Sequence, residues 1–373
     1  MRVLFVAPLP EPVTGQSLAC AVLLSALRSR HAVDVVDLKK ESFRDGASSI
    51  KRIIEVLVAT VRVAVLALRC DAIYLTVSQS RSGNIRDLMM YLVCFYKLNK
   101  MTIHLHGGAA MERLLSTKHP FIRYTNRFFL RRISAVIVLG ESLAPIFHGL
   151  VPSSRIYCVP NFAEDYLFLN ADEVAEKYSS IYPLRLLFLS NLLEGKGHKE
   201  LLQAMKLLPA EVLAKIELDV AGAFESHEDE MAFHASAAEL SCVRYHGTVH
   251  GARKASLFAR AHLFCLPTYY RNEGQPISIL EAYSSGCAVL TTNHGGIYDI
   301  FTPGKNGFGV EKASVASIAS ALSLAVSSSA RLCDMGQTNL AMACKRFRVA
   351  KYCEALISII ECVGGAKVGS QKY

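Results

Sequence analysis

Short, mostly apolar runs recur along this chain, and the segments between them carry helical spacing. In the first half the runs fall at 3–8, 33–36, 72–75, 101–105 and 135–139. In the second half they fall at 186–189, 263–267 and 288–292, with further strands expected at 216–222 and 243–247, where Glu217, Asp219 and Arg244 interrupt the apolar pattern. Continuous apolarity over four to six residues marks strands buried on both faces, as in a parallel sheet covered by helices. Helices are expected near 18–27, 50–68, 87–96, 199–208, 252–261, 315–326 and 341–362. The alternation runs once, lapses over an acid-biased stretch at 165–182, and restarts at Leu184. The pattern therefore predicts an α/β protein of two successive doubly wound units. Expected boundaries are 1–162 for the first unit, 183–345 for the second, and 346–373 for a final helix and tail.

A length of 373 residues is enough for two cores. Hydrophobic content of 51% with 20% charge excludes a disordered chain. The longest apolar segment, 53–68, is interrupted by Glu55 and Arg62 and falls short of a membrane span, so it reads as a buried amphipathic helix. The start of the chain reads as a strand and turn, not a signal peptide. Eleven cysteines without a C-x-x-C pair or zinc spacing fit buried free thiols in a reducing cytoplasm.

Charge changes the picture more. Net charge is +9, yet residues 1–160 hold 21 Lys/Arg against 10 Asp/Glu, and residues 161–373 hold 20 against 22. Between Lys97 and Arg132 eight basic residues face one acid, Glu112, with Phe121, Ile122, Phe128, Phe129 and Leu130 among them. Such a stretch fits an anionic membrane surface or an acidic acceptor, and equally a solvated helix face. No nucleic-acid module accompanies it, so nucleic acid is not an expected partner.

Candidate chemistry sits where strands end. Gly15 lies in the first strand–helix turn, where a ligand can approach the backbone beside a helix start. His104 and His106 share one face of the run ending at Gly107-Gly108, and the pattern leaves structural and functional roles open for both. His106, beside Gly107, is the better placed to reach a ligand. Lys196 stands between Gly195 and Gly197 just ahead of a helix, a setting that suits a diphosphate as well as it suits plain surface exposure. The densest stretch is 271–281. Glu273, Gly274 and Gln275 precede Pro276, which fits the first position of an apolar helix of about three turns, and Gly286 fits its stop. The free N–H groups of Ile277 and Ser278 then form an anion site flanked by two carboxylates, Glu273 and Glu281. A nucleotide-sugar, with hydroxyls on either side of a diphosphate, has that shape.

This run, with the spacing Glu273-x7-Glu281, resembles the signature of retaining glycosyltransferases built from two facing Rossmann-like domains. These are the GT-B enzymes of glycosyltransferase family 4, or glycosyl transferases group 1. The likeness is strongest over 186–307. It implies a GT-B-like fold whose domains face across a cleft, with the C-terminal helix returning to the first domain. It assigns the donor sugar to Glu273, the ribose to Glu281, the diphosphate to Lys196 and the Gly274–Ser278 segment, and a sugar contact to His106. Gly15 would approach the diphosphate or the acceptor, and His246 to Val249 would hold the base through backbone groups. Relatives carry an arginine five residues before the lysine; here that position is Asn191, so half of the usual cationic clamp is missing.

The implied activity is transfer of a hexose, with retention, from a nucleoside-diphosphate sugar to the hydroxyl of a glycan or lipid-linked glycan. Cell-surface polysaccharide or lipopolysaccharide synthesis is the implied setting. No D-x-D pair occurs, so neither metal nor cofactor is expected. The expected location is cytoplasmic, with a peripheral place on the cytoplasmic membrane face as the further expectation. Two other readings stay open: a nucleotide-sugar epimerase on the same scaffold, and a non-catalytic nucleotide-sugar-binding partner.

Overall fold

The computed structural model describes residues 1–38, 49–117 and 119–365. The chain forms two compact units, one of Met1–Pro160 joined by the chain from Ala350 onward, the other Asn161–Val349. Among the described residues each unit holds a six-stranded parallel sheet, which establishes the α/β class.

The first unit runs β1 (Arg2–Ala7), α1 (Gly15–Arg28), β2 (Ala32–Asp37), α2 (Ser49–Ala67), β3 (Ala72–Thr76) and α3 (Arg81–Val93). It continues through β4 (Met101–His104), α4 (Ala109–Leu115), α5 (Pro120–Leu130), β5 (Ala135–Val138) and β6 (Ile156–Cys158). Its sheet order is β2-β1-β3-β4-β5-β6. β1, β3, β4 and β5 are buried almost throughout, the physical counterpart of their uninterrupted apolarity.

The second unit runs α6 (Ala171–Ser179), β7 (Leu184–Leu189), α7 (His198–Lys206), α8 (Ala210–Leu213), β8 (Ile216–Ala221), α9 (His227–Ala237) and β9 (Val243–Tyr245). Then come α10 (Gly251–Arg260), β10 (Leu263–Leu266), α11 (Ile277–Ser284), β11 (Ala288–Thr292), β12 (Gly307–Val310), α12 (Val315–Ser327) and α13 (Ser329–Arg346). Its order, β12-β11-β10-β7-β8-β9, reverses direction between β7 and β10. In open α/β sheets ligands bind at that reversal, beyond the carboxyl ends of the strands.

The last helix, α14 (Val349–Gly364), packs into the first unit. Glu361 Oε1 lies 2.8 Å from His31 Nε2 beyond α1, and Tyr352, Leu356 and Ile360 are buried.

Several expectations need correction. The helical stretch 341–362 is two helices, because Phe347 leaves helical geometry and Arg348 pairs with Asp165 at 3.3 Å. The stretch 165–182, where the alternation lapses, contains α6, opened by a capping box between Asn170 and Glu173. α1 starts at Gly15, three residues early, because Thr14 and Ser17 cap it reciprocally. α3 covers Arg81–Val93 rather than 87–96, and a 3-10 turn follows at Phe95–Lys100. α2 is not a buried helix: Ile53, Ile54, Leu57, Val58, Val61 and Val65 are exposed. Finally, six cysteines are buried free thiols, but Cys344 and Cys362 are exposed.

Candidate functional site

The candidates divide between the two units, and each set is built within its own unit. In the second, β7 and β10 are neighbours, so the loops that follow them meet. The β7 loop turns through Gly195 (φ +83°) and Gly197 (φ +90°), a left-handed geometry that favours glycine. A Cβ at Gly197 would stand 2.5 Å from the Pro267 carbonyl oxygen, and one at Gly195 3.1 Å from Tyr270 Cα. The two glycines thus let the loop lie flush on the segment 267–270. Tyr269 donates its N–H to Gly195 O at 2.6 Å and locks the contact.

That closeness delivers Lys196 to Glu273. Lys196 Nζ lies 2.7 Å from Glu273 Oε2 and sits 4.9 Å from the centre of the Tyr270 ring. The buried Thr268 hydroxyl donates to the same oxygen at 2.9 Å. Both recorded bonds fall on Oε2, which leaves Oε1 to accept a hydroxyl. Below, Gly296 donates to Gly274 O at 2.7 Å, and a Cβ at Gly295 would crowd the carbonyl oxygens of Glu273 and Gly274. The backbone before α11 is therefore held from two sides.

α11 is shorter than expected. Pro276 is its N-cap, in extended geometry, and not its first helical residue. Eight residues make about two turns, not three. No side chain caps this N-terminus, so the Ile277 and Ser278 N–H groups keep the role of first-turn donors. At the other end Gly286 (φ +62°) makes a Schellman turn, with Cys287 N–H donating to Ala282 O at 2.9 Å. Gln275 is turned the other way: its Oε1 accepts from Asn161 N–H at 2.8 Å, and its carbonyl accepts from the Asn161 amide at 2.8 Å.

Glu281 lies deeper, 2% exposed, against Lys254 of α10 at 2.5 Å. Lys254 also reaches Glu164 Oε2 at 3.0 Å, and the Tyr166 hydroxyl donates to that oxygen at 3.1 Å. Burial works against the Lys254 charge, but Glu281 and Glu164 outweigh it and hold its pKa above the ordinary lysine value. Burial, opposed by Lys254, pushes the Glu281 carboxyl up.

His246 is engaged too: its Nε2 lies 2.6 Å from Asp219 Oδ1, while Arg260 holds the other oxygen at 2.6 Å. The Val249 side chain belongs to the core. Asn191 is half-buried in the loop after β7.

In the first unit Gly15 is exposed as the first residue of α1. The His104 and His106 rings lie tilted against each other at the end of β4, with centres 3.9 Å apart. His104 Nδ1 is 2.7 Å from the buried Tyr74 hydroxyl. The Nε2 atoms of both rings are shut from solvent and have no partner among the described residues. Burial lowers His106 to about 3 and His104 well below its ordinary value, so both imidazoles are neutral.

Thr268, Lys254 and Glu164 escaped the sequence reading. Lys254 sits in an Arg-Lys pair on an ordinary amphipathic helix, and nothing local separates it from a surface lysine. Thr268 begins the turn after β10, and its position against the motif was the one available hint.

Comparison with known proteins bears on the second unit first. Residues 180–340 match the family Glycosyl transferases group 1. O-antigen chain mannosyltransferase B of Escherichia coli is 28% identical over 145 residues, covering 38% of this chain and 34% of that protein. The chain thus matches about a third of the length of that curated relative. Among solved structures, HepE of Anabaena in complex with UDP-glucose superposes with a TM-score of 0.73 at 15% identity, over 97% of this chain and 100% of that one. Sucrose-phosphate synthase of Thermosynechococcus elongatus gives 0.75 at 14% identity, over 98% and 99%. At such identities the likeness is one of fold, the two-domain GT-B architecture.

Proposed function

We propose, from the premise that residues 180–340 are a glycosyl transferases group 1 domain, that this protein is a retaining glycosyltransferase. It moves a hexose from a nucleoside-diphosphate sugar to the hydroxyl of a glycan or lipid-linked glycan. The observation that carries the reading is the Lys196–Glu273 contact at 2.7 Å, set beside the uncapped start of α11 at the strand-order reversal. The mannosyltransferase relative and the UDP-glucose complex of HepE support a nucleotide-sugar donor and a role in cell-surface polysaccharide synthesis.

In this reading the bond between sugar C1 and the diphosphate oxygen breaks, and the electron pair leaves with the diphosphate. Lys196 and the Ile277 and Ser278 N–H groups meet that charge, the usual electrostatic contribution at such sites. Lys196 must turn from Glu273 towards phosphate, which leaves Glu273 Oε1 and the vacated side of Oε2 for sugar hydroxyls while Thr268 still holds Oε2. Glu281 takes the ribose, and Gly274 and Pro276 shape the anion site. The acceptor oxygen bonds to C1 from the face the diphosphate leaves, and its proton passes to the departing phosphate oxygen. His106, neutral at working pH, and Gly15 are the first unit's proposed contacts to substrate. With the leaving charge met by Lys196 and helix N–H groups, no divalent ion is required. The location is cytoplasmic, with 97–132 turned to the membrane that presents the acceptor.

UDP-, GDP- and ADP-sugars should be screened for thermal stabilisation of the protein and for nucleotide release with and without acceptor. One donor is expected to raise Tm and to release nucleotide only with acceptor, in the presence of chelator. Glu273→Ala should lower kcat/KM about a hundredfold or more while the fold persists. Acceptor-independent release would indicate the epimerase instead. A donor that binds without turnover under every acceptor tried, with Glu273→Ala binding equally well, would sink the transferase reading.

A further inference from the structure

The two faces of the first unit's sheet are unlike. One carries Leu4, Ile73, Leu75, Ile103, Val136 and Val138 and belongs to that unit's large apolar core. The other carries Tyr74 and Thr76 of β3 beside Thr102 and His104 of β4, in register and buried. His106 follows two residues on, and its ring lies against that of His104. Polar side chains are rare on a sheet covered on both faces, and those present are ordinarily hydrogen-bonded.

The bonds that do form set the proton positions. The Tyr74 ring is stacked on Phe5, with centres 4.9 Å apart, and its hydroxyl lies 2.7 Å from His104 Nδ1. Burial holds that hydroxyl well above its ordinary pKa, so it keeps its proton. Were His104 Nδ1 the donor, the phenolic proton would be buried with no acceptor among the described residues. Tyr74 therefore donates, and the neutral His104 ring carries its own proton on Nε2. That Nε2 is shut from solvent without a partner among the described residues, and so are His106 Nε2 and the Thr76 and Thr102 hydroxyls. Gln79 closes the loop side: a Cβ at Gly107 would stand 1.7 Å from its Nε2, and its Oε1 is enclosed as well.

We propose that Tyr74 and His104 are positioning residues that fix the tautomer of His106 through one buried water. The water accepts from His104 Nε2–H and donates to His106 Nε2, and Thr76, opposite His104 in the ladder, offers it a hydroxyl. His106 then carries its proton on Nδ1, the ring nitrogen that is not enclosed, and presents a donor to the substrate. A sugar hydroxyl held by that N–H turns a lone pair to the ring and its own proton away, whereas the other tautomer would turn it round. The substrate contact rests on the proposed function; the tautomer does not.

The full chain, labelled with heavy nitrogen at its histidines, is read by long-range nitrogen–proton correlation spectra without donor or acceptor. His104→Phe and His106→Gln assign the two rings. Wild-type His104 is expected protonated at Nε2 and His106 at Nδ1. Tyr74→Phe keeps the ring on Phe5 and removes only the donor, so His106 should lose its single tautomer and show both. In the transfer assay the same variant should lower kcat about tenfold, with the donor KM within about twofold. The double variant Tyr74→Phe, His104→Phe leaves an apolar pair and should fold at least as well as the single one, yet recover no activity. Wild-type His106 protonated at Nε2, or His106 still protonated at Nδ1 alone in Tyr74→Phe, overturns the proposal. Mixed tautomers with unchanged kcat overturn the positioning role. If the wild type turns over no donor, the transferase reading falls while the spectra still confirm or overturn the relay.

Discussion

Glu273 and Glu281 stand eight residues apart and each faces a lysine, yet their surroundings differ. Glu273 lies on the turn before α11, shares Oε2 between Lys196 and Thr268, and keeps its other oxygen available. Glu281 lies inside α11, and its lysine is clasped by a second carboxylate, Glu164. The first pair joins two loops and can open when a ligand competes for Lys196. The second joins α10, α11 and the start of the unit, and opening it strands a buried charge. One motif therefore supplies a contact suited to exchange and another suited to permanence.

The sharpest way to break that comparison is to remove each lysine. Lys254→Met should destabilise the protein by about 3–5 kcal/mol in urea unfolding, because Glu281 is left buried without a partner. Lys196→Met should cost only about 1–2 kcal/mol, since Thr268 still donates to Glu273. The double variant Lys254→Met, Glu281→Leu should regain most of the loss. Equal losses from the two lysines would erase the distinction.

pH sharpens it further. Burial already raises the Glu281 carboxyl, and removing Lys254 takes away the effect that opposed it. A folded-state pKa above the unfolded one gives stability that is present below the unfolded value and lost as pH rises through the folded one. The deficit of Lys254→Met should therefore be smallest in acid and grow above the usual carboxylate range.

A smaller effect tests what brings the first pair together. Gly197→Ala places a Cβ 2.5 Å from Pro267 O at a positive φ, so the loop must shift. The expected cost is about 1–3 kcal/mol, with weaker donor binding from a displaced Lys196. The smallest expected effect is Thr268→Val, about 1 kcal/mol for the hydroxyl's bonds to Glu273 Oε2 and from the Tyr270 N–H, visible as a modest drop in Tm.

Much of the fold was legible because strands buried on both faces admit few polar residues, and 72–75, 101–105 and 288–292 advertise themselves so. Glu273, Lys196 and His106 were legible as candidates for a related reason: each follows a strand. Lys254 was not, because a buried lysine and a surface lysine on an amphipathic helix share one local pattern. The outward face of α2 was hidden by the opposite ambiguity. A largely apolar helix between two strands reads as enclosed, and only the packing of its neighbours reveals that one side is left uncovered. The start of α11 was misplaced by one residue because proline suits both the cap and the first turn.

By itself the sequence determined the alternation of strand and helix, the placing of glycines where the chain must turn left-handed, and the residue types at each strand's end. Those are local matters, governed by backbone sterics and by the exclusion of polar groups from a doubly covered sheet. Tertiary structure alone decided which strand ends became neighbours, and hence that Lys196 meets Glu273 while Lys254 closes over Glu281. Those pairings span 77 and 27 residues, and at such separations contact is set by strand order, which no local pattern encodes.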